Sequence, residues 1–150
     1  LSGGKSSMLY KRLVEEKKIA LDVQAINLAL EDYGVYIIYA MPIGTVSLDT
    51  LIEEIDHEMK QLKDALITKR EYEKLQNVIE NNVVNANATM AGIAHSLAHY
   101  YTFYSETQLI NTEFEYYQAV TREDIMNATQ TYLDESKRVI IDYLPEEIMP

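Results

Sequence analysis

The chain has no cysteine and no tryptophan, and it has only 2 phenylalanines among its 150 residues. The absence of cysteine excludes disulfides, thiolate nucleophiles and cysteine-ligated zinc sites. Long apolar runs are also missing, because no stretch approaches the roughly 20 residues that are needed to cross a bilayer. The sequence therefore predicts no membrane span, and no segment has the pattern of a targeting signal.

Basic residues are scarce: 13 Lys and Arg face 24 Asp and Glu, which gives a net charge of −11. Such a molecule repels phosphate backbones and anionic membranes, which argues against nucleic acid as a partner. Hydrophobic residues make up 47% and charged residues 25%, values that are typical of a soluble globular protein. The length fits one domain, and we interpret residues 1–150 as a single partial domain of a larger protein, since the chain begins at Leu1 without an initiator Met.

Periodicity predicts a helix followed by a β-hairpin in the first 45 residues. Ser6 or Ser7 is placed to cap a helix that runs to about Lys18. Apolar residues then alternate over residues 19–30, but their phase reverses, which predicts a bulge or marked twist near Ala25 to Asn27. A turn at residues 31–34 leads into a second strand, which makes the pair antiparallel.

From Ser47 the apolar period becomes helical and stays so for most of the remaining chain. Thr68 and Glu71 form a predicted capping box, and Thr121 is placed to cap the last helix. Residues 138–144 are predicted to form a strand that is stopped by Pro145. We therefore predict an α+β fold in which an antiparallel sheet, made of the hairpin plus a C-terminal strand, is covered by a layer of helices.

Gly4-Lys5-Ser6 resembles the end of a phosphate-binding loop. The first glycine of such a loop would precede residue 1, and the elements that follow form a hairpin where nucleotide folds use a parallel crossover. The glycines are better explained by the start of a helix, so a nucleotide-binding module is the weaker hypothesis.

His95 and His99 are spaced i, i+4 on a predicted helix, where both rings could meet one zinc ion. Neither the His-x-x-Glu-His order nor the His-Glu-x-x-His order is present, because Ala98 precedes His99 and His57 has no second histidine nearby. The histidines are interpreted as helix residues beside a core. The sequence predicts no metal ligand and no catalytic residue in this chain.

Tyrosine is unusually frequent, with 12 residues, and aromatic rings concentrate in one quarter of the chain. A tyrosine ring is apolar and its hydroxyl is polar, so tyrosines suit positions between an apolar core and solvent. The cluster either packs in the core or at a domain interface, or forms a wall that contacts peptide, and no individual substrate-binding residue is assigned. Its members are Tyr100, Tyr101, Phe103, Tyr104, Phe114, Tyr116 and Tyr117.

The order of these pieces resembles the insulinase/pitrilysin-like zinc proteases, or inverzincins. The resemblance rests on five segments taken in order: the Ser6-Ser7-Met8-Leu9 helix, the Gly34 hairpin, the helix starts at residues 67–71 and 120–125, and the final strand. In that family homologous domains pair into a clam-like chamber, one domain carrying the metal motif and a later one having lost it. This chain is similar to the later, zinc-free domain, without its first strand.

The resemblance implies a non-catalytic domain of a zinc metalloendopeptidase that helps to enclose and bind peptide substrates. Zinc is then expected in a homologous domain of the same chain or in a partner subunit, and a dimer is possible. Members of the family often place an Arg and a Tyr near the glycine-led strand to hold substrate, but Val35, Tyr36 and Tyr39 do not match that pattern. The alternative is a parent protein without peptidase activity that serves as a scaffold or partner subunit.

Overall fold

The computed structural model describes residues 7–30 and 32–144, which form six α-helices and a two-stranded sheet. A short helix α1 (Met8–Tyr10) continues as a π-helical segment (Lys11–Glu16), and the strands are β1 (Ala20–Ala29) and β2 (Gly34–Pro42). The predicted α+β class, with an antiparallel hairpin and a majority of helix, is confirmed. The remaining helices are α2 (Leu48–Asp64), α3 (Lys69–Ala86), α4 (Met90–Tyr104), α5 (Leu109–Ala119) and α6 (Arg122–Tyr132), followed by a 3₁₀ turn (Glu135–Lys137).

The chain divides into two compact units, residues 1–61 with 129–150 and residues 62–128. In the first unit, Leu9 and Leu13 are fully buried and pack with Val23 and Leu51. These contacts bring the first helix, one face of the hairpin and the start of α2 into one apolar cluster. Burying side chains of this size contributes roughly 1.5–3 kcal/mol each, so the cluster is the main stabilising feature of this unit.

A group of charged side chains joins the π-helical segment to α2 within the same unit. Arg12 Nε lies 3.5 Å from Glu58 Oε1 and 3.6 Å from Glu54 Oε2, and the Lys17 ammonium also contacts Glu54. Glu58 is only 6% exposed. Burial raises the pKa of Glu58, an effect that Arg12 opposes, whereas the hydrogen bond from Lys17 lowers the pKa of Glu54.

The hairpin is regular where the sequence predicted a bulge. From Asp22 to Ala29 each residue of β1 has one partner in β2, and the register shift lies between Ala20 and Asp22. The prediction of a bulge near Ala25 to Asn27 was wrong, because the strands stay paired without a register shift through the reversal of apolar phase. It instead changes the face that carries apolar side chains: Ile26 and Leu28 are 48% and 46% exposed, on the face opposite Val23.

The predicted C-terminal strand is also absent from the sheet. Residues 138–144 have no strand structure, and the sheet in the described part of the chain contains β1 and β2 alone. Val139 and Ile141 are each 85% exposed. Consecutive β-branched residues favour an extended backbone, but a strand also needs a hydrogen-bonded neighbour, and the hairpin does not supply one here.

The second unit is helical, and its capping signals are confirmed. Thr68 Oγ1 accepts a hydrogen bond from the Glu71 amide at 3.2 Å, while the Glu71 carboxylate accepts from the Thr68 amide at 3.1 Å. Helix α3 therefore begins where the sequence placed it. No helix in the described ranges is long and apolar enough to cross a membrane.

Candidate functional site

A pocket of about 300 Å³ lies in the helical unit, where α3, α4 and α5 meet. Binding pockets for small ligands usually measure about 300–1,000 Å³, so this one matches a single small group or one side chain. Its wall combines apolar residues with hydroxyl, amide and carboxylate groups. The lining residues are Ile79, Asn82, Val83, Ala86, Asn87, Ser96, Tyr100, Glu113 and Tyr117.

Glu113 is the charged group of this pocket. Its carboxylate accepts a hydrogen bond from the Tyr100 hydroxyl and a longer one, 3.5 Å, from the Tyr117 hydroxyl. Tyr100 is 8% exposed. Burial, reinforced by Glu113, raises the pKa of both tyrosines, so each phenol stays protonated and acts as a donor toward the carboxylate.

The wall next to Glu113 is held in place by side-chain contacts between α3 and the end of α5. The Tyr72 hydroxyl donates to the Val120 carbonyl at 2.7 Å, and Gln76 Nε2 donates both to Tyr72 Oη at 3.0 Å and to the Tyr117 carbonyl at 3.1 Å. These bonds fix the backbone that carries Tyr117. The pocket is therefore a preformed feature of the helical unit.

The aromatic cluster predicted from the sequence divides between two environments. Tyr100 and Tyr117 line the pocket, whereas Tyr101, Tyr104 and Tyr116 are 68%, 62% and 65% exposed. The His99 ring lies 4.9 Å, centroid to centroid, from Phe103. These tyrosine rings, together with Phe103, which is 50% exposed, give α4 and α5 an exposed aromatic surface.

The predicted histidine pair lies on α4, where His95 and His99 are both exposed. His57 lies on α2, and its Nε2 is 2.7 Å from Gln61 Nε2. Within the described residues, no group of three or more His, Asp or Glu side chains is placed to hold a metal ion. Gly4-Lys5-Ser6 lies outside the described residues.

The two tyrosines of β2 differ in environment. Tyr36 is partly buried, which raises its pKa to about 12, and Tyr39 is 49% exposed. They lie in the first unit, and the pocket lies in the second.

Sequence reasoning missed Glu113, Ser96 and Asn87 as pocket residues. One signal was available, because Glu113 and Tyr117 are spaced i, i+4 on a predicted helix and must share a face. The partner on α4, Tyr100, is 13 residues away from Glu113, and no local pattern brings it there.

Comparison with known proteins gives a family match over the first half of the chain. The sequence profile of the Peptidase M16 inactive domain matches residues 1–79. The zinc protease PqqE of Helicobacter pylori is 34% identical over 76 residues, which is 51% of this chain and 17% of that protein. The chain thus spans about a sixth of the length of this curated relative.

Solved structures match over nearly the whole chain. A protease from Helicobacter pylori superposes with a TM-score of 0.82 at 22% identity, over 91% of this chain and 32% of that one. The inactive peptidase domain of a protein from Bordetella parapertussis, assigned as a zinc protease, superposes with a TM-score of 0.83 at 19% identity. The match covers 99% of this chain and 80% of that one. A protein from Bordetella pertussis Tohama I, also assigned as a zinc protease, superposes with a TM-score of 0.80 at 19% identity. The match covers 97% of this chain and 79% of that one. At these identities the structures establish a shared fold.

Proposed function

Because the chain belongs to the M16 peptidase family, as an inactive domain of that family, we propose that it forms a non-catalytic wall that helps a zinc metalloendopeptidase to enclose and bind peptides. The observation that carries this proposal is the match of the inactive-domain profile to residues 1–79. Zinc and the general base would come from a homologous domain of the same protein or from a partner subunit. Residues 1–150 would then act as one partial domain of that assembly.

The exposed aromatic surface of α4 and α5 supports a role in holding peptide. Tyr101 and Tyr104 expose 68% and 62% of their surface. A tyrosine ring can cover an apolar side chain of a peptide while its hydroxyl donates to a peptide carbonyl. This combination suits a wall that must contact many peptide sequences without selecting one of them strongly.

The proposal is tested by reconstitution with the domain or subunit that carries His-x-x-Glu-His. We expect the chain alone to hold no stoichiometric zinc and to hydrolyse no peptide, and we expect it to raise kcat/KM of the zinc-bearing part. A Tyr101→Ser, Tyr104→Ser double variant should raise KM about fivefold or more, since truncating a contacting aromatic costs over about 1 kcal/mol. Tyr132→Ser, at a ring that is 73% exposed on α6, is the matched control.

Two results would overturn the proposal. One tightly held zinc per chain that is lost in His95→Ala would make this a metal-binding domain. A zinc-bearing part that is fully active without the chain would exclude the enclosing role. If neither the parent protein nor its partners contain His-x-x-Glu-His, the scaffold function is the one that remains.

A further inference from the structure

We propose that the pocket between α3, α4 and α5 binds a single cationic group, a guanidinium or a primary ammonium, with Glu113 as its counter-ion. The basic side chain of a peptide and a free small amine both carry this chemistry. The inference does not depend on the enclosing role proposed above, because it concerns a preformed pocket within one helical unit.

The first argument is the charge of Glu113. Its carboxylate lines the pocket, and no Lys, Arg or His in the described residues forms an ion pair with it. Its hydrogen bonds come from the uncharged hydroxyls of Tyr100 and Tyr117. A carboxylate has about four acceptor positions, so two donors leave capacity for a further N–H donor. An alkylammonium or guanidinium supplies both that donor and the missing positive charge.

The second argument is the end of α3, which forms the opposite part of the wall. This helix has 18 residues, it ends at Ala86 beside the pocket, and its last turn contains no basic side chain. The C-terminal end of a helix carries a partial negative charge and attracts cations. The negative charge of the Glu113 carboxylate and the partial negative charge at the C-terminal end of α3 therefore both lie at this pocket.

The third argument is the supply of acceptors and ring faces. Asn87 lines the pocket and its Oδ1 is buried without a hydrogen-bond partner, although its Nδ2 donates to the Val83 carbonyl at 3.3 Å. An unmatched acceptor favours a ligand that donates. The rings of Tyr100 and Tyr117 also line the pocket, and aromatic faces attract cations. An anion would be repelled by Glu113, and an uncharged donor of the same size could form hydrogen bonds but would lack the attraction between opposite charges.

The size of the pocket limits the ligand. About 300 Å³ is at the lower end of the usual range for small-ligand sites. One extended side chain fits such a volume, whereas a folded segment does not. We therefore expect weak binding of isolated small cations, and stronger binding of a peptide that presents one basic side chain and gains further contacts outside the pocket.

The test uses NMR titration of the purified protein with agmatine as the guanidinium probe, followed through the ring signals of Tyr100 and Tyr117. N-(4-hydroxybutyl)urea, in which a urea replaces the guanidinium and a hydroxyl replaces the ammonium of agmatine, is uncharged and of similar shape, and it is the ligand control. We expect saturable shifts with agmatine and none with the uncharged compound. A peptide with one Arg, compared with the same peptide carrying citrulline, distinguishes a peptide side chain from a free amine as the preferred source.

Glu113→Gln should weaken agmatine binding about tenfold, because the variant keeps the size of the side chain but removes the negative charge that attracts the cation. Glu115→Gln makes the same charge change at an exposed position of α5 outside the pocket, and it should leave binding unchanged. If Glu113→Gln fails to fold, a second variant, Ser96→Leu, leaves Glu113 unchanged and fills the pocket with a larger side chain. This variant should abolish binding. Equal binding of the uncharged compound, or unchanged binding in both pocket variants, would overturn the inference.

Discussion

Arg12 Nε lies 3.5 Å from Oε1 of Glu58, a carboxylate that is only 6% exposed, and this contact ties the π-helical segment to α2. The Arg12 side chain is 31% exposed, so the pair is partly shielded from water. Removing one partner of a buried ion pair leaves the other charge without compensation, which is more costly than losing an exposed pair. The stability of the first unit should therefore depend on Arg12.

Arg12→Met keeps the apolar stem of the side chain and removes the charge. We expect the free energy of unfolding to fall by about 2 kcal/mol, below the 3–5 kcal/mol of a fully buried pair because Arg12 is partly exposed. Urea unfolding measures this change. Lys11→Met, at an exposed neighbouring position, is the matched control and should change stability by less than about 0.5 kcal/mol. A loss as small as the control's would show that water already screens Glu58.

Glu54 and Glu58, the two glutamates of α2 that lie beside Arg12, should make the free energy of unfolding depend on pH in opposite directions. Burial raises the pKa of Glu58 above 4.5, so the folded state holds the proton more tightly than the unfolded state does. The free energy of unfolding should then fall as the pH rises from 4.5 through the raised pKa. The hydrogen bond from Lys17 lowers the pKa of Glu54 below 4.5, so its contribution should grow as the pH rises toward 4.5.

These two contributions are separated by Glu58→Gln and Glu54→Gln, each studied by urea unfolding between about pH 3 and pH 7. Glu58→Gln should remove the decline above pH 4.5, and Glu54→Gln should remove the rise below it. Glu53→Gln, at an exposed position of α2, serves as the control. An unaltered pH profile in Glu58→Gln would mean that the buried carboxylate does not titrate differently in the two states.

Features with a local cause were predictable from the sequence. The Thr68 and Glu71 capping box joins residues three apart, and Leu9 and Leu13 fall on one face of one helix. The hairpin follows from a short turn between two apolar segments. Each of these depends on spacing along the chain, which the sequence displays directly.

Features that depend on distant partners were not predictable. The bulge was predicted at the wrong place because alternation shows that the apolar side chains change face, but it does not show which face meets the core. Ile26 and Leu28 are apolar and yet lie on the exposed face. Residues 138–144 read as a strand, yet strand formation requires a neighbour that spacing does not reveal. The pocket escaped detection because it needs Tyr100 beside Glu113, and only the packing of α4 against α5 brings them together.

The capping box of α3 gives a third prediction. Thr68→Ala removes the acceptor for the Glu71 amide and should lower the free energy of unfolding by about 1 kcal/mol. Thr68→Ser keeps the hydroxyl and should lose much less. Both are measured by urea unfolding. Equal losses in the two variants would mean that the threonine methyl group, and not the cap, stabilises this turn.

Gly92 gives the last prediction, because its Cα lies too close to the end of α3 for any other residue. A Cβ atom there would be 1.9 Å from the Ala86 carbonyl oxygen, a backbone atom, and 3.2 Å from Thr89 Oγ1. Gly92→Ala must therefore move α3 away from α4 and should cost about 2 kcal/mol or more, as overpacked sites do.

Gly44→Ala, where φ is +58° but nothing lies within 4 Å, should cost only about 1 kcal/mol. Thermal unfolding of the two variants ranks them, and the reverse order would mean that backbone conformation outweighs the contact between helices. Since Ala86 lines the pocket, Gly92→Ala should also shift the Tyr100 and Tyr117 ring signals, which Gly44→Ala should leave in place.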